Sequence, residues 1–208
     1  MRSFERRPAS RASGLRIVGG VHRGRRLAAP LGDAVRPTSD RARQALFNIL
    51  SHGSFAASGL PFADRPVLDV FAGTGAFGLE ALSRGASAAV FIESGREALT
   101  ALRRNIAALG EEDRAQILSG DATRPARAPF ACALAFLDPP YRSGLAAPAL
   151  TALAAAGWLA ADALAVVEIA AAEEFSFPAG FARLDERVYG AARLVFLRRD
   201  YTPAGEPR

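Results

Sequence analysis

The chain has 208 residues, half of them apolar, and a net charge of +5, which is enough for one domain with a sizeable core. No apolar stretch approaches the roughly 20 residues of a membrane span, and residues 1–16 lack the apolar segment of a secretory signal, so a cytoplasmic protein is expected. A single cysteine leaves no internal disulfide and two isolated histidines leave no ligand cluster, so no metal is expected.

Charge is unevenly placed along the chain. All 26 basic residues are Arg. Residues 1–45 hold 11 Arg against Glu5, Asp33 and Asp40, a net of +8; residues 46–208 hold 15 Arg against 18 acids, a net of −3. A basic arm on a mildly acidic body is the footprint of a polyanion binder. Residues 1–13 read as a disordered basic tail, 14–53 as an amino-terminal extension and 54–208 as the main domain. Within the extension, residues 15–21 read as a short strand and 22–27 as a basic returning strand, together a hairpin. Arg23, Arg25 and Arg26 on it are candidate phosphate contacts. Thr38 or Ser39 then caps a helix with Asp40 in its first turn; Ala42, Ala45, Leu46, Ile49 and Leu50 follow at helical spacing, and Gly53 ends it. Arg41 and Arg43 on this helix join the phosphate candidates.

From residue 67 strands and helices alternate. Strands are expected over 67–71, 87–92, 115–118, 131–137 and 163–169, with helices over 77–83, 96–109 and 145–157. This alternation predicts parallel strands with crossover helices. Residues 181–189 and 193–201, joined by a short Gly-containing turn, predict an antiparallel pair added to one edge. The expected fold is therefore α/β, with a mostly parallel seven-stranded sheet, an antiparallel carboxyl-terminal edge pair and a small hairpin-and-helix extension. Cys132, inside an apolar run, reads as a buried structural thiol.

Three strand ends carry chemistry. The segment Asp69-Val70-Phe71-Ala72-Gly73-Thr74-Gly75-Ala76-Phe77-Gly78 turns the first strand into a helix, its glycines permitting a tight turn and close ligand approach. Glu93 ends the second strand, 20 residues after Gly73, where a carboxylate accepts from ribose hydroxyls. Gly120-Asp121-Ala122 ends the third and suits an adenine ring with its amine. Two ligands fit this pattern. Gly73-x-Gly75-x-x-Gly78 taken literally is the dinucleotide fingerprint. Asp69, within the strand, instead suits a ligand bearing a cation, such as S-adenosylmethionine, which has no pyrophosphate.

The fourth strand ends in Asp138-Pro139-Pro140-Tyr141. The Asp138 carboxylate and the Pro139 carbonyl can accept from an exocyclic amine, Pro140 stiffens the turn, and Tyr141 offers a stacking face. In an open α/β sheet that edge is where ligands bind.

These residues resemble the class I, S-adenosylmethionine-dependent methyltransferases, and more narrowly the bacterial small-subunit rRNA (guanine-N2) methyltransferases of the RsmD type. The likeness runs from about Leu15 to about Tyr201. Its markers are Arg16-Ile17-Val18-Gly19-Gly20, Gly24-Arg25-Arg26-Leu27, Arg36-Pro37-Thr38-Ser39-Asp40-Arg41, Ala45-Leu46-Phe47-Asn48-Ile49-Leu50, residues 67–86, the tetrapeptide, and Tyr189-Gly190 with Leu194. The resemblance implies a Rossmann-like class I fold and a cofactor pocket from Asp69, Phe71, Gly73, Thr74, Gly75, Glu93, Asp121 and Ala122. Arg36 and Thr38 match a segment that folds over the cofactor side. It further implies methyl transfer to guanine N2 of 16S rRNA, alone or within an assembling small subunit, with a monomer sufficing. Gln44 stands where the family leads one to expect Glu, and Ser94-Gly95 where a charged or bulkier pair is usual. The pocket chemistry itself permits adenine N6 of DNA or RNA equally. Outside that chemistry stand an RNA-binding module with a degenerate cofactor site and a nucleotide-binding oxidoreductase.

Overall fold

The computed structural model describes residues 14–29, 40–56 and 60–200. The expected basic tail over 1–13, the cap at Thr38 or Ser39, Arg36 and Tyr201 lie outside the described residues. Among these residues four α-helices, one short 3-10 helix (Gly53–Ala56, after α1) and seven strands follow in the order α1 (Asp40–Leu50), β1 (Pro66–Val70), α2 (Ala76–Ser83), β2 (Ala88–Glu93), α3 (Arg96–Leu109), β3 (Ala115–Ser119), β4 (Cys132–Leu137), α4 (Ala146–Ala155), β5 (Leu159–Ala170), β6 (Phe181–Tyr189) and β7 (Ala192–Arg199). One sheet takes all seven strands in the order β3-β2-β1-β4-β5-β7-β6. The first five strands pair in parallel, and β7 runs antiparallel to both β5 and β6.

The two faces of the sheet bury separate cores. β4 is buried at every residue because it lies between β1 and β5 with both faces covered, as a central parallel strand should be. Leu134 and Phe136 point to one core, with Leu46, Phe47 and Leu50 of α1, Leu79 and Leu82 of α2, and Leu102 and Ile106 of α3. Cys132, Ala135 and Leu137 point to the other, against Ala149, Leu150 and Leu153 of α4 and Trp158. An aromatic group underlies the first core: Phe77 stacks on Phe136 at 5.3 Å between ring centres, and Phe47 meets both Phe62 and Phe136. Burial pushes the Cys132 thiol up to about 12, so it stays protonated and inert.

The extension is joined to the first core. Leu15, Ile17 and Leu27 are buried in it alongside α1. Its expected hairpin survives as a single antiparallel bridge, Arg16 to Arg26, and not as two regular strands. The hairpin is short: Ile17 N–H donates to Arg25 O at 2.9 Å, Leu27 N–H to Leu15 O at 3.0 Å and Gly24 N–H to Ile17 O at 2.8 Å, while the segment between its arms is bound to α2. Val18 N–H donates to Glu80 Oε2 at 2.7 Å, Val21 N–H to Ser83 O at 2.8 Å, His22 N–H to Ser83 Oγ at 2.9 Å, and Ser83 Oγ donates to Gly19 O at 2.6 Å. Gly20 has φ +73°, and a Cβ there would fall 1.8 Å from Ser83 O, so only glycine allows this approach.

Glu80, buried in an otherwise apolar stretch of α2, gathers the charges of this joint. It accepts from Arg84 Nε at 2.7 Å and lies 3.7 Å from Arg43 Nε, while Arg43 also pairs with Asp40 at 2.9 Å and donates to Arg16 O. Farther along, His22 Nε2 and Glu111 Oε1 are 2.5 Å apart, and Arg25 donates to Ala108 O at the end of α3.

Candidate active site

The carboxyl ends of β1 to β4 remain cross-linked beyond the sheet. Ala72 N–H donates to Ile92 O at 3.1 Å, Gly120 N–H to Glu93 O at 3.0 Å, and Asp138 N–H to Val70 O at 3.3 Å. These bonds draw the glycine loop, Glu93, Asp121 and the tetrapeptide into one row along the sheet edge. At about 4.8 Å per strand, the row from β3 to β4 spans roughly 14 Å.

Each glycine of the loop has its own reason to be glycine. Gly73 and Gly75 have φ +55° and +78°. A Cβ at Gly75 would fall 2.3 Å from Leu102 Cδ1, and one at Gly78 would fall 2.4 Å from Phe91 Cε1, so these two let α2 close onto α3 and β2. At Gly73 a Cβ would meet only Phe71 O, at 3.9 Å, and at Gly120 nothing within 4 Å. Open room therefore lies over the first glycine and over the end of β3. Phe71 itself has φ +57°, an uncommon backbone state for a bulky residue.

Glu93 spans from β2 to that loop. Its Oε2 accepts from Gly73 N–H at 2.7 Å, and its Oε1 from Ser94 and Gly95 N–H at 2.8 and 2.6 Å. Asp121 is exposed and accepts from the Thr123 N–H and hydroxyl, both at 2.8 Å, which hold its carboxyl below the usual carboxylate range. Ala122 is buried beside it.

Asp69 takes a different place from the one expected. Only 1% exposed, it lies beneath the loop, where Gly78 N–H donates to its Oδ2 at 2.8 Å. Burial pushes its carboxyl up to about 8; the Gly78 bond opposes this, the Glu93 charge adds to it and Arg43 opposes it. There it holds the glycine loop from beneath, through Gly78. The same bond bears on the choice between the two ligands. An acid already occupies the first turn of α2, where a dinucleotide's pyrophosphate would need free N–H groups. The residues present fit S-adenosylmethionine better: acceptors for hydroxyls at Glu93, an acid and open space at Asp121 and Gly120, and no phosphate cradle.

In the tetrapeptide, Asp138 is half-buried and Pro139 buried, while Tyr141 is 47% exposed. The Tyr141 hydroxyl donates to Glu168 Oε1 of β5 at 3.1 Å. Glu168 was not expected. Its signal was an acid inside the apolar run Ala165-Val166-Val167-Glu168-Ile169, the same signal that singled out Asp69. Asn105, also missed, is 2% exposed; it donates to Thr74 O at 2.9 Å and Ala28 O at 3.0 Å and accepts from Ala28 N–H at 2.6 Å. It pins the extension to the glycine loop.

Residues 15–198 match the family model described as "Conserved hypothetical protein 95". The chain belongs to this family. A relative from Escherichia coli (strain K12), named ribosomal RNA small subunit methyltransferase D, is 36% identical over 94% of this chain and 96% of its own length. The solved structure of a putative methyltransferase from Escherichia coli superposes with a TM-score of 0.74 at 36% identity, covering 89% of this chain and 97% of that one. An RNA methyltransferase from Salinibacter ruber, solved with S-adenosyl-L-homocysteine, is 13% identical with a TM-score of 0.60 over 83% of this chain and 99% of its own; at that identity the likeness is one of fold. The α/β, Rossmann-like methyltransferase architecture expected from the sequence is thus the one observed.

The candidate phosphate contacts divide. Arg23, Arg26 and Arg41 are exposed. Arg25 is exposed but its guanidinium caps α3 through Ala108 O. Arg43 is a correction: fully buried and held by Asp40, Glu80 and Arg16 O, it has no surface to offer a phosphate. Arg16, not singled out from sequence, is exposed, with its Nε donating to Asp40 Oδ2 at 3.0 Å. With Arg23 and Gln44 it lines a cleft of about 170 Å³, and with Arg26 an adjoining one of about 470 Å³.

Among the described residues no helix is long and apolar enough to cross a membrane, and no group of three or more His, Cys, Asp or Glu is placed to hold a metal ion.

Proposed function

We propose that this protein transfers a methyl group from S-adenosylmethionine to an exocyclic amine of a base in small-subunit ribosomal RNA, with guanine N2 as the acceptor. The observation that carries the proposal is the single row at the sheet edge: glycine loop, Glu93 and Asp121 on one side, Asp138 to Tyr141 directly beside them. Bound there, S-adenosylmethionine supplies an electrophilic methyl on its sulfonium. Glu93 accepts from the ribose hydroxyls, Asp121 and Ala122 border the adenine, and Gly73, Thr74 and Gly75 let the cofactor lie against the backbone. Phe71, Arg36 and Thr38 complete the proposed cofactor side.

A base amine is a poor nucleophile because its lone pair is delocalised into the ring. The Asp138 carboxylate and Pro139 carbonyl accept from that amine, favouring a pyramidal nitrogen whose lone pair points at the methyl. Pro140 holds the turn rigid, and the exposed Tyr141 ring stacks the base. Placement of two reactants supplies the acceleration without a covalent intermediate. A paired base cannot reach this edge, so the target is unpaired or flipped out. The exposed guanidinium groups of Arg16, Arg23, Arg26 and Arg41 hold phosphates, which positions RNA without reading its sequence.

Ribosomal RNA as substrate is supported by the name of the Escherichia coli relative, and guanine N2 by the family resemblance. Methyl-labelled S-adenosylmethionine is incubated with unmethylated small-subunit particles and with naked 16S rRNA, and the modified base is mapped. Label on a guanine N2 is expected. Label on an adenine keeps the amine chemistry and overturns the guanine assignment; no label on either RNA form sinks the RNA reading. Asp138→Ala is expected to abolish transfer while calorimetry still shows cofactor binding.

A further inference from the structure

Two carboxylates from one strand and its exit converge on the turn that carries Tyr141. Leu137, the last residue of β4, is in register with Val167, so Glu168 stands level with Asp138. Val167 and Ile169 face the second core while Val166 faces the first. By alternation Glu168 projects to the first face, the side of Phe136 and α1. There it is 4% exposed and accepts the Tyr141 hydroxyl at 3.1 Å. Five residues on, Glu173 Oε2 accepts from Arg142 N–H at 2.9 Å and from Ala170 N–H at 3.3 Å. Ser143 N–H donates to Pro140 O at 3.1 Å, closing a turn with Tyr141 and Arg142 at its centre, and Arg142 has φ +58°. That backbone state is uncommon outside glycine, so the Glu173 bond stabilises a turn that the local sequence alone disfavours.

We infer that Glu168 is a positioning residue for methyl transfer: it fixes the Tyr141 ring at its hydroxyl end while Glu173 fixes the turn beneath it. A carboxylate withdrawn from water at a strand end is costly unless its lone pairs are used. Here one of them is used to orient a half-exposed ring. A tyrosine tethered only at Cβ turns about two side-chain torsions; tethered at the hydroxyl as well, its stacking plane is set before a base arrives. The energy of ordering is then spent in folding and not at binding, which favours the aligned complex. This inference rests on the reading of Tyr141 as the stacking face for the target base.

The chain has three tyrosines, so uniform 3-fluorotyrosine labelling gives few resonances, and Tyr141→Phe assigns one of them. Glu168→Ala is expected to shift and narrow the Tyr141 fluorine line, and Glu168→Gln, whose amide oxygen still accepts, to leave it in place. In the transfer assay Glu168→Ala and Tyr141→Phe are each expected to lower kcat about tenfold with a smaller change in KM, and the double variant little further, because the bond between them is lost in both. Glu168→Gln is expected to restore kcat, and cofactor affinity to be unchanged throughout. Losses that multiply in the double variant, a loss confined to KM, or a Tyr141 line unmoved by Glu168→Ala would each overturn the inference. Should Glu168→Ala not fold, Tyr141→Phe removes the same bond from the exposed side and carries the kinetic test. The fluorine arm needs no methyl transfer. A shifted Tyr141 line in a protein that methylates no RNA therefore upholds the tether and sinks only the functional reading.

Discussion

Replacing Glu80 tests whether the extension is held by the buried charge cluster. Glu80→Ala removes three interactions at once: the acceptor for Val18 N–H, the partner of Arg84, and the buried ion pair with Arg43. Arg43 is fully buried, also pairs with Asp40 on the helix rim and donates to the Arg16 carbonyl, and would lose its buried carboxylate partner. Breaking a buried pair from one side costs about 3–5 kcal/mol, and an orphaned backbone donor alone about 1–3 kcal/mol. These overlap because both charge the same desolvation, so the expected loss is about 3–5 kcal/mol, a large part of the roughly 5–15 kcal/mol of a whole domain. Urea unfolding should show the midpoint falling with little change in slope. Trypsin should cut the extension near Arg23 to Arg26 well before the main domain. Glu80→Gln, which keeps an acceptor for Val18, should lose less. A loss below about 1 kcal/mol for Glu80→Ala, with unchanged proteolysis, would refute the argument that this cluster holds the extension.

Asp69, with its carboxyl raised from 3.8 to about 8, binds a proton more tightly folded than unfolded. It therefore contributes stability that is complete below about pH 4 and is lost as pH rises to about 8. Asp69→Asn keeps an acceptor for Gly78 and should flatten that fall, gaining several kcal/mol over wild type at pH 8 at about 1.4 kcal/mol per pKa unit; parallel stability–pH curves for the two proteins would contradict this. Gly78→Ala should cost about 1–3 kcal/mol by forcing a methyl into the Phe91 ring, whereas Gly120→Ala, in open space, should leave the melting temperature within a degree or two. Replacing Arg16, Arg23 and Arg26 together by Ala should weaken RNA binding and reduce the slope of log affinity against log salt by roughly two; an unchanged slope would remove the extension from the RNA contact.

Much of this molecule is legible in sequence because periodicity and punctuation agree. The helix expected over 96–109 is α3, Arg96–Leu109, and the strand expected over 181–189 is β6. The tetrapeptide and Glu93 fall at strand ends because prolines and glycines stop those strands sharply. What sequence did not reveal depends on partners far along the chain. The residues over 15–27 pattern as a hairpin and do pair as a short one, but how far its strands extend is set by Glu80 and Ser83, some 60 residues away, which bind Val18, Val21 and His22. Arg43 reads as one more exposed cation until its buried partner Glu80 is known. Glu80 and Glu168 each carried a local sign, an acid amid apolar neighbours. That sign marks a buried polar joint without saying what it joins.

The Asn105 joint has a consequence for how a substrate is measured. One amide side chain touches both Thr74 of the glycine loop and Ala28 of the extension, so the two are linked through it. On the proposed function, an RNA gripped by the arginines of the extension would meet the methyl at a set distance, like stock held in a jig. Such a protein would select its nucleotide by how far it lies from the gripped backbone more than by the identity of neighbouring bases. Altering that distance, by one residue inserted between Ala28 and α1 or by loosening Asn105, should redirect methylation to a different position before it abolishes it.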